Sequence, residues 1–301
     1  MGSQLQSRRA LELDLRTALL RQEFKVVYQP VINVTTDEVV GFEALLRWQH
    51  PERGLVPPDE FISLAEDTGI ILPVGDWVLW QACADAAKWR EDLILAVNVS
   101  PLQFRRTDLP QCIVRALASA GLPARRLELE ITESILLQDT EATMGTLRHL
   151  RSIGVGIVMD DFGADDSSFS YVRQFTFDKI KIDRGLIGGL PKPECVAILR
   201  AAVGIAASLA IPTTAEGVET SEQLAQVRAE GCTNAQGFLF SQPMQAGECR
   251  AFIAERAIMR ATAGPATGRP AQPRALSALE APDRSLAPDA RGPASLASPI
   301  R

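Results

Sequence analysis

Val155-Gly156-Ile157-Val158-Met159-Asp160-Asp161-Phe162-Gly163 is a short apolar run that ends in two adjacent carboxylates and a Phe-Gly turn. Its β-branched residues, bounded by Gly154 and Gly163, mark a fully buried strand. Two neighbouring acids at the end of such a strand repel each other and resist desolvation, so a cation belongs beside them. Few basic residues lie nearby in sequence, which leaves a metal ion or a remote lysine. A lone Asp-Asp pair is more often an exposed acidic turn, and the flanking sequence decides between the two.

On either side of this strand, apolar runs alternate with amphipathic stretches. Upstream, Phe24–Tyr28 and Val39–Trp48 read as strands that pair as a hairpin across Thr35-Thr36-Asp37. A helix opens at Pro57-Pro58 and runs through Glu66, and a longer one spans about 74–89. Strands at 93–99 and 127–131 then alternate with helices at 109–120 and 141–153. Downstream come a Ser-rich turn with a helix near 167–172, a strand at 178–183, a helix at 194–209, a strand at 211–215, a helix at 222–229, a strand near 235–240 and a helix at 246–259. About eight such β/α units in some 250 residues predict an α/β fold closed into a TIM-like (β/α)8 barrel, with a doubly wound open sheet as the alternative. No G-x-G-x-x-G or P-loop follows any strand, which removes the usual nucleotide signatures of the open-sheet class.

Polar residues fall at matching places on these strands. Glu43, Asn98, Glu130, Asp160 with Asp161, Lys181, Glu216 and Gln236 arrive at roughly one per strand. In a barrel, the C-terminal ends of successive strands converge on one pocket. A single buried acid is usually a structural anchor, but a set in one register is hard to explain that way. Carboxylates and amide oxygens without Cys or His make a hard-oxygen site suited to Mg²⁺ or Mn²⁺, with Ca²⁺ as a competitor and expected inhibitor. Adjacent Asp residues can serve two ions, the arrangement used for in-line phosphoryl displacement. Lys181 would be the cation of the pocket, there to orient or deprotonate water or to balance the carboxylates.

The bulk composition narrows the partners. A net charge of −6 argues against a broad DNA- or RNA-duplex surface. Five scattered cysteines without a C-x-x-C pair fit reduced thiols in a cytoplasmic protein, and two histidines are too few for a histidine metal cluster. No apolar run approaches the roughly 20 residues of a membrane span, so no membrane contact is expected of this segment. Beyond Arg260 the Ala, Pro, Ser and Gly content predicts a disordered tail over 260–301. Residues 1–9 read as a leader or linker, and 10–259 as the barrel.

Glu43-Ala44-Leu45 followed by Leu46-Arg47-Trp48 resembles the signature of EAL-domain cyclic di-GMP phosphodiesterases. Tyr28-Gln29-Pro30, Phe61-Ile62 with Ala65-Glu66, Asn98-Val99-Ser100, Glu130-Ile131-Thr132-Glu133, Asp160-Asp161-Phe162-Gly163, Lys181-Ile182-Asp183, Glu216-Gly217-Val218-Glu219-Thr220 and Gln236-Gly237 follow in the family's order. The resemblance covers about residues 10–256. It implies a barrel whose first strand is antiparallel, and hydrolysis of cyclic di-GMP to linear pGpG; the alternative is a receptor that binds without turnover. It also implies metal ligation by Glu43, Asn98, Glu130, Asp160, Asp161 and Glu216, with Lys181 and Gln236 positioning water beside the catalytic Glu43. Nucleotide contacts are implied for Gln29, Leu45, Arg47, Asp183 and Glu219, and Arg47 makes sense as a phosphate fork. Glu133 matches the anchor of the loop after Asp160-Asp161-Phe162-Gly163, or is a helix-start carboxylate.

Two departures stand out. The loop continues as Ala164-Asp165-Asp166-Ser167-Ser168, with Asp165 where the family carries Gly, which touches regulation and dimer strength more than the ligand set. Thr233 stands where the family often carries Asp. A homodimer is expected. From about Arg8 the pattern Leu11, Leu13, Leu15, Leu19 and Leu20 marks an amphipathic N-terminal helix, which reads either as a linker to an upstream sensor or GGDEF domain or as a cap on the barrel.

Overall fold

In the computed structural model, which describes residues 2–137, 140–163 and 175–263, strand β1 (Phe24–Asn33) turns back onto β2 (Val39–His50). Asn33 makes the turn: its Oδ1 accepts the backbone N–H groups of Thr35 and Thr36 at 3.0 and 2.9 Å, which lets the side chain stand in for a backbone turn. A short β3 (Gly54–Val56) pairs with the far end of β2. The remaining strands are β4 (Ile94–Asn98), β5 (Leu127–Ile131), β6 (Gly156–Phe162), β7 (Lys179–Ile182), β8 (Thr213–Ala215) and β9 (Asn234–Ala235).

The pairing order β1-β9-β8-β7-β6-β5-β4-β2 closes through the β1–β2 hairpin, so eight strands form a barrel and β3 stays outside it. β1 is antiparallel to both of its neighbours, and every other barrel pair is parallel. This is the expected barrel with an antiparallel first strand, and the open sheet is excluded by the closure.

Parallel neighbours need crossovers, and the helices supply them. The helix Leu109–Ala120 buries Leu109, Ile113, Ala116 and Leu117, one stripe at helical spacing, and stops where Gly121 takes φ 66°. Pro58–Thr68 buries Phe61, Leu64 and Ala65 and ends the same way at Gly69. The apolar core lies between the strands' outer faces and these helices. Phe24, Trp48 and Phe61 meet there with ring centroids 5.6–5.9 Å apart.

Several bounds differ from the sequence reading. The helix expected at 74–89 is Ile71–Ala86, with Pro73 in its first turn, where a missing N–H costs nothing. The strand expected over 235–240 is only Asn234–Ala235, since the chain then passes so close to Val218 that a Cβ on Gly237 would lie 2.1 Å from its carbonyl oxygen. The N-terminal helix spans Gly2–Ala18, including most of the expected leader, and buries Leu11, Leu15 and Ala18. The last helix runs Ala246–Ala263. The expected helix near 167–172, Asp165 and Asp166, and the tail beyond 263 lie outside the described residues. Among the described residues no helix is long and apolar enough to cross a membrane, and Cys83, Cys112, Cys195, Cys232 and Cys249 are all free thiols.

Candidate active site

Register brings the polar residues together. Glu43 on β2 pairs with Gln29 on β1, Asn98 on β4 with Glu130 on β5, and Lys181 on β7 with Thr214 on β8. Successive residues of a regular strand point to opposite faces, so Asp160 and Asp161 could not ordinarily share a pocket. The β6–β7 ladder is irregular between Met159 and Phe162, and Asp161 adopts φ 54°, a left-handed conformation that Asp accepts better than most residues. That kink places carboxylate oxygens of Asp160, Asp161 and Glu216 within 4.8 Å of one another.

Lys181 reaches this cluster from inside the barrel. At 2% exposure, its Nζ lies 2.6 Å from Glu216, 2.8 Å from Glu130, 3.3 Å from Glu43 and 3.4 Å from Asp160. Asn98 Nδ2 donates to Glu43 Oε1 and Gln236 Nε2 to Glu43 Oε2, both at 2.7 Å. Gln236 Nε2 also donates to Gln29 Oε1 at 3.1 Å. Thus Glu43, Asn98, Glu130, Asp160, Asp161, Glu216, Lys181 and Gln236 form one assembly, as the strand-end pattern predicts.

One ammonium does not balance so many carboxylates. Burial, followed by the charge of Glu43, pushes the Glu130 carboxyl well above its usual range. Burial and Asp160 raise Asp161. Burial pushes Glu216 up to about 8, although Lys181 opposes it. Among the described residues, Asp160 Oδ1 is buried with only the 3.4 Å ion pair to Lys181 and no hydrogen bond. An excess of carboxylate oxygens over the single ammonium, with Glu43, Glu130 and Asp160 buried, fits hard divalent cations.

A pH dependence follows. Between the ordinary carboxyl value of 4.5 and about 8, folded protein without metal holds a proton on Glu216 that the unfolded chain has lost. Stability therefore falls as pH rises through that window and levels off above it. In chelator, Tm is expected to be lower at pH 8.5 than at pH 6, and Mg²⁺ or Mn²⁺ to flatten the difference. A Tm that is equal or higher at pH 8.5 in chelator contradicts this charge balance.

Above the cluster opens a groove of about 850 Å³. Gln29, Leu45, Arg47 and Glu219, all predicted contacts, line it. Asp183 does something more local: its Oδ1 accepts the N–H groups of Gly185 and Leu186 at 2.8 and 3.3 Å, capping the helix Arg184–Gly188. Glu133 opens the helix Glu133–Leu136, and the loop it was expected to anchor lies outside the described residues. Thr233 and Thr213 exchange backbone-to-hydroxyl hydrogen bonds at 3.3 Å, so this position ties β8 to the start of β9. The sequence reading missed Arg184, Lys25 and the exposed Phe238, which also line the groove. Arg184 carried a usable signal, a cation directly after the strand-end Lys181-Ile182-Asp183.

The EAL domain model matches residues 12–243. An uncharacterized protein, y4lL of Sinorhizobium fredii, is 48% identical over 87% of this chain and 32% of its own length. The bifunctional diguanylate cyclase/cyclic di-GMP phosphodiesterase MucR of Pseudomonas aeruginosa is 39% identical over 84% of this chain and 38% of its own. A solved structure described as the PaMucR phosphodiesterase in complex with c-di-GMP superposes with a TM-score of 0.77 at 40% identity, over 80% of this chain and 99% of that one. The chain thus spans about a third of the length of the curated relatives it matches.

Proposed function

The chain belongs to the EAL domain family, and on that premise we propose that it hydrolyses one phosphodiester of cyclic di-GMP to linear pGpG in a reaction that needs divalent metal. The observation that carries this reading is the convergence of Glu43, Asn98, Glu130, Asp160, Asp161 and Glu216 around Lys181 at the floor of the groove. Those six side chains would hold two ions, Mg²⁺ or Mn²⁺. When bound, the ions supply Lewis-acid stabilisation of charge developing at phosphorus and a lowered pKa for the attacking water.

The protein's own residues do the rest. Glu43 is fixed by two amide donors and a lysine, so its carboxylate is oriented before substrate arrives. Lys181 balances part of the acidic charge, and Gln236, held between Gln29 and Glu43, positions water. Arg47 offers a planar cation to a phosphate, while Leu45 and Glu219 contact the nucleotide, and Asp183, which caps the helix Arg184–Gly188, holds Arg184 at the groove's edge. An upstream sensor or GGDEF domain, a homodimer and a cytoplasmic location belong to the same proposal.

Arg47→Lys keeps the charge and loses the fork, so KM for cyclic di-GMP is expected to rise about tenfold with a smaller change in kcat. Steady-state kinetics check this, and an unchanged KM removes Arg47 from the contact set. Product analysis tests the activity itself: pGpG forms with Mg²⁺ or Mn²⁺ and not in chelator. Intact nucleotide under all conditions, with binding retained, would turn the reading to a receptor.

A further inference from the structure

Beneath the carboxylate cluster, on the side away from the groove, the barrel interior holds a second cavity of about 200 Å³. Barrels of this kind ordinarily fill that space with layers of branched apolar side chains. Here Val40 and Ala96 share the lining with Glu130, Lys181, Thr214 and Gln236. Thr214 and Gln236 are 1% and 3% exposed, yet among the described residues Thr214 Oγ1 and Gln236 Oε1 have no hydrogen-bond partner. Register puts Thr214 directly beside Lys181 across the β7–β8 ladder.

Buried hydroxyl and amide oxygens are almost always satisfied by protein or by ordered water. Cavities that stay dry are apolar, and one lined by several polar groups with room for several molecules takes up water. Lys181 carries its charge on a flexible four-carbon stem. Its ammonium is held by carboxylates, Glu216 and Glu130 most closely, and its side chain also lines the cavity.

We propose that this cavity is a water-binding site and that Thr214 is a positioning residue for Lys181. The Thr214 hydroxyl and the Gln236 carbonyl oxygen hold a small cluster of bound waters against Lys181, and this fixes the ammonium against the carboxylates. The catalytic consequence rests on the proposed hydrolysis; the water site itself does not.

Crystals of the protein, of Thr214→Val and of Thr214→Ser at a resolution that shows ordered water test the site directly. Thr214→Val keeps the shape and removes the hydroxyl, while Thr214→Ser keeps the hydroxyl. Water within hydrogen-bond distance of the residue 214 hydroxyl is expected in the parent and the Ser variant, and displaced or lost in the Val variant. A cavity without ordered water in the parent, or one filled by a monovalent cation, overturns the proposal.

Kinetics with cyclic di-GMP supply the second readout. Thr214→Val is expected to lower kcat about tenfold with KM within about twofold, and Thr214→Ser to restore it. Unchanged turnover in the Val variant, or no rescue by Ser, overturns the positioning role. If the parent does not turn over cyclic di-GMP at all, the functional reading fails while the crystallographic result still decides the water site.

Discussion

Glu43→Gln is expected to reduce turnover of cyclic di-GMP by at least about a thousandfold, or about 4 kcal/mol of barrier, with the barrel still folded. The Glu43 carboxylate accepts from Asn98 Nδ2 on Oε1 and from Gln236 Nε2 on Oε2, and Lys181 Nζ lies 3.3 Å from Oε2. Burial works against its charge, yet Lys181, Gln236 and the other partners hold the carboxyl below its ordinary range. A glutamine offers one acceptor and one NH₂, so on one side a donor meets a donor, at a cost of about 1–3 kcal/mol. The substitution also removes a negative oxygen from the set that would hold metal. Initial rates with saturating Mn²⁺, alongside circular dichroism, check both halves. A variant that retains even a tenth of the parent kcat is incompatible with a central role for Glu43.

Lys181→Met should separate stability from turnover. The ammonium lies within 3.4 Å of oxygens on Glu43, Glu130, Asp160 and Glu216, of which the first three are buried and Glu216 is partly so. Removing one partner from a buried ionic cluster leaves charge uncompensated and costs about 3–5 kcal/mol. For a domain of this size that corresponds to a fall in Tm on the order of 10 °C in chelator. Divalent metal brings positive charge to the same oxygens, so Mg²⁺ or Mn²⁺ is expected to recover much of the lost Tm. Turnover is not expected to recover, because in the proposed mechanism Lys181 also positions the attacking water. Thermal melts with and without metal, paired with product formation, read the two effects apart. Equal Tm for the variant and the parent in chelator would show that Lys181 does not hold the cluster together.

Much of this site can be read in the sequence because barrel geometry turns spacing into place. One polar residue at the end of each apolar run becomes one side chain per strand in a common pocket, which is how Glu43, Asn98, Glu130, Asp160, Lys181 and Glu216 meet. The long helices at 109–120 and 193–208 were legible for a similar reason, since periodicity has room to declare itself over several turns. The helices Pro101–Phe104 and Arg184–Gly188 are too short to show a period and were missed, while Glu133–Leu136 was signalled only by the helix-start carboxylate at Glu133. β3 was missed because three residues cannot establish alternation.

Other features depend on tertiary packing that no local pattern encodes. The left-handed turn at Asp161 decides that both aspartates face one pocket, and the motif alone does not contain it. The helix-capping contact of Asp183 competes with any role in the groove, and only the geometry of the chain after β7 reveals it. Thr214 looks like an ordinary strand residue, and its importance emerges only when it lies beside Lys181 over a polar cavity.

The central claim is that the strand-end carboxylates form a divalent metal centre. Crystals grown with Mn²⁺ and measured at the manganese absorption edge test it most directly. The account predicts two anomalous peaks in contact with oxygens drawn from Glu43, Asn98, Glu130, Asp160, Asp161 and Glu216. Saturating Mn²⁺ with no anomalous peak among these residues would contradict it.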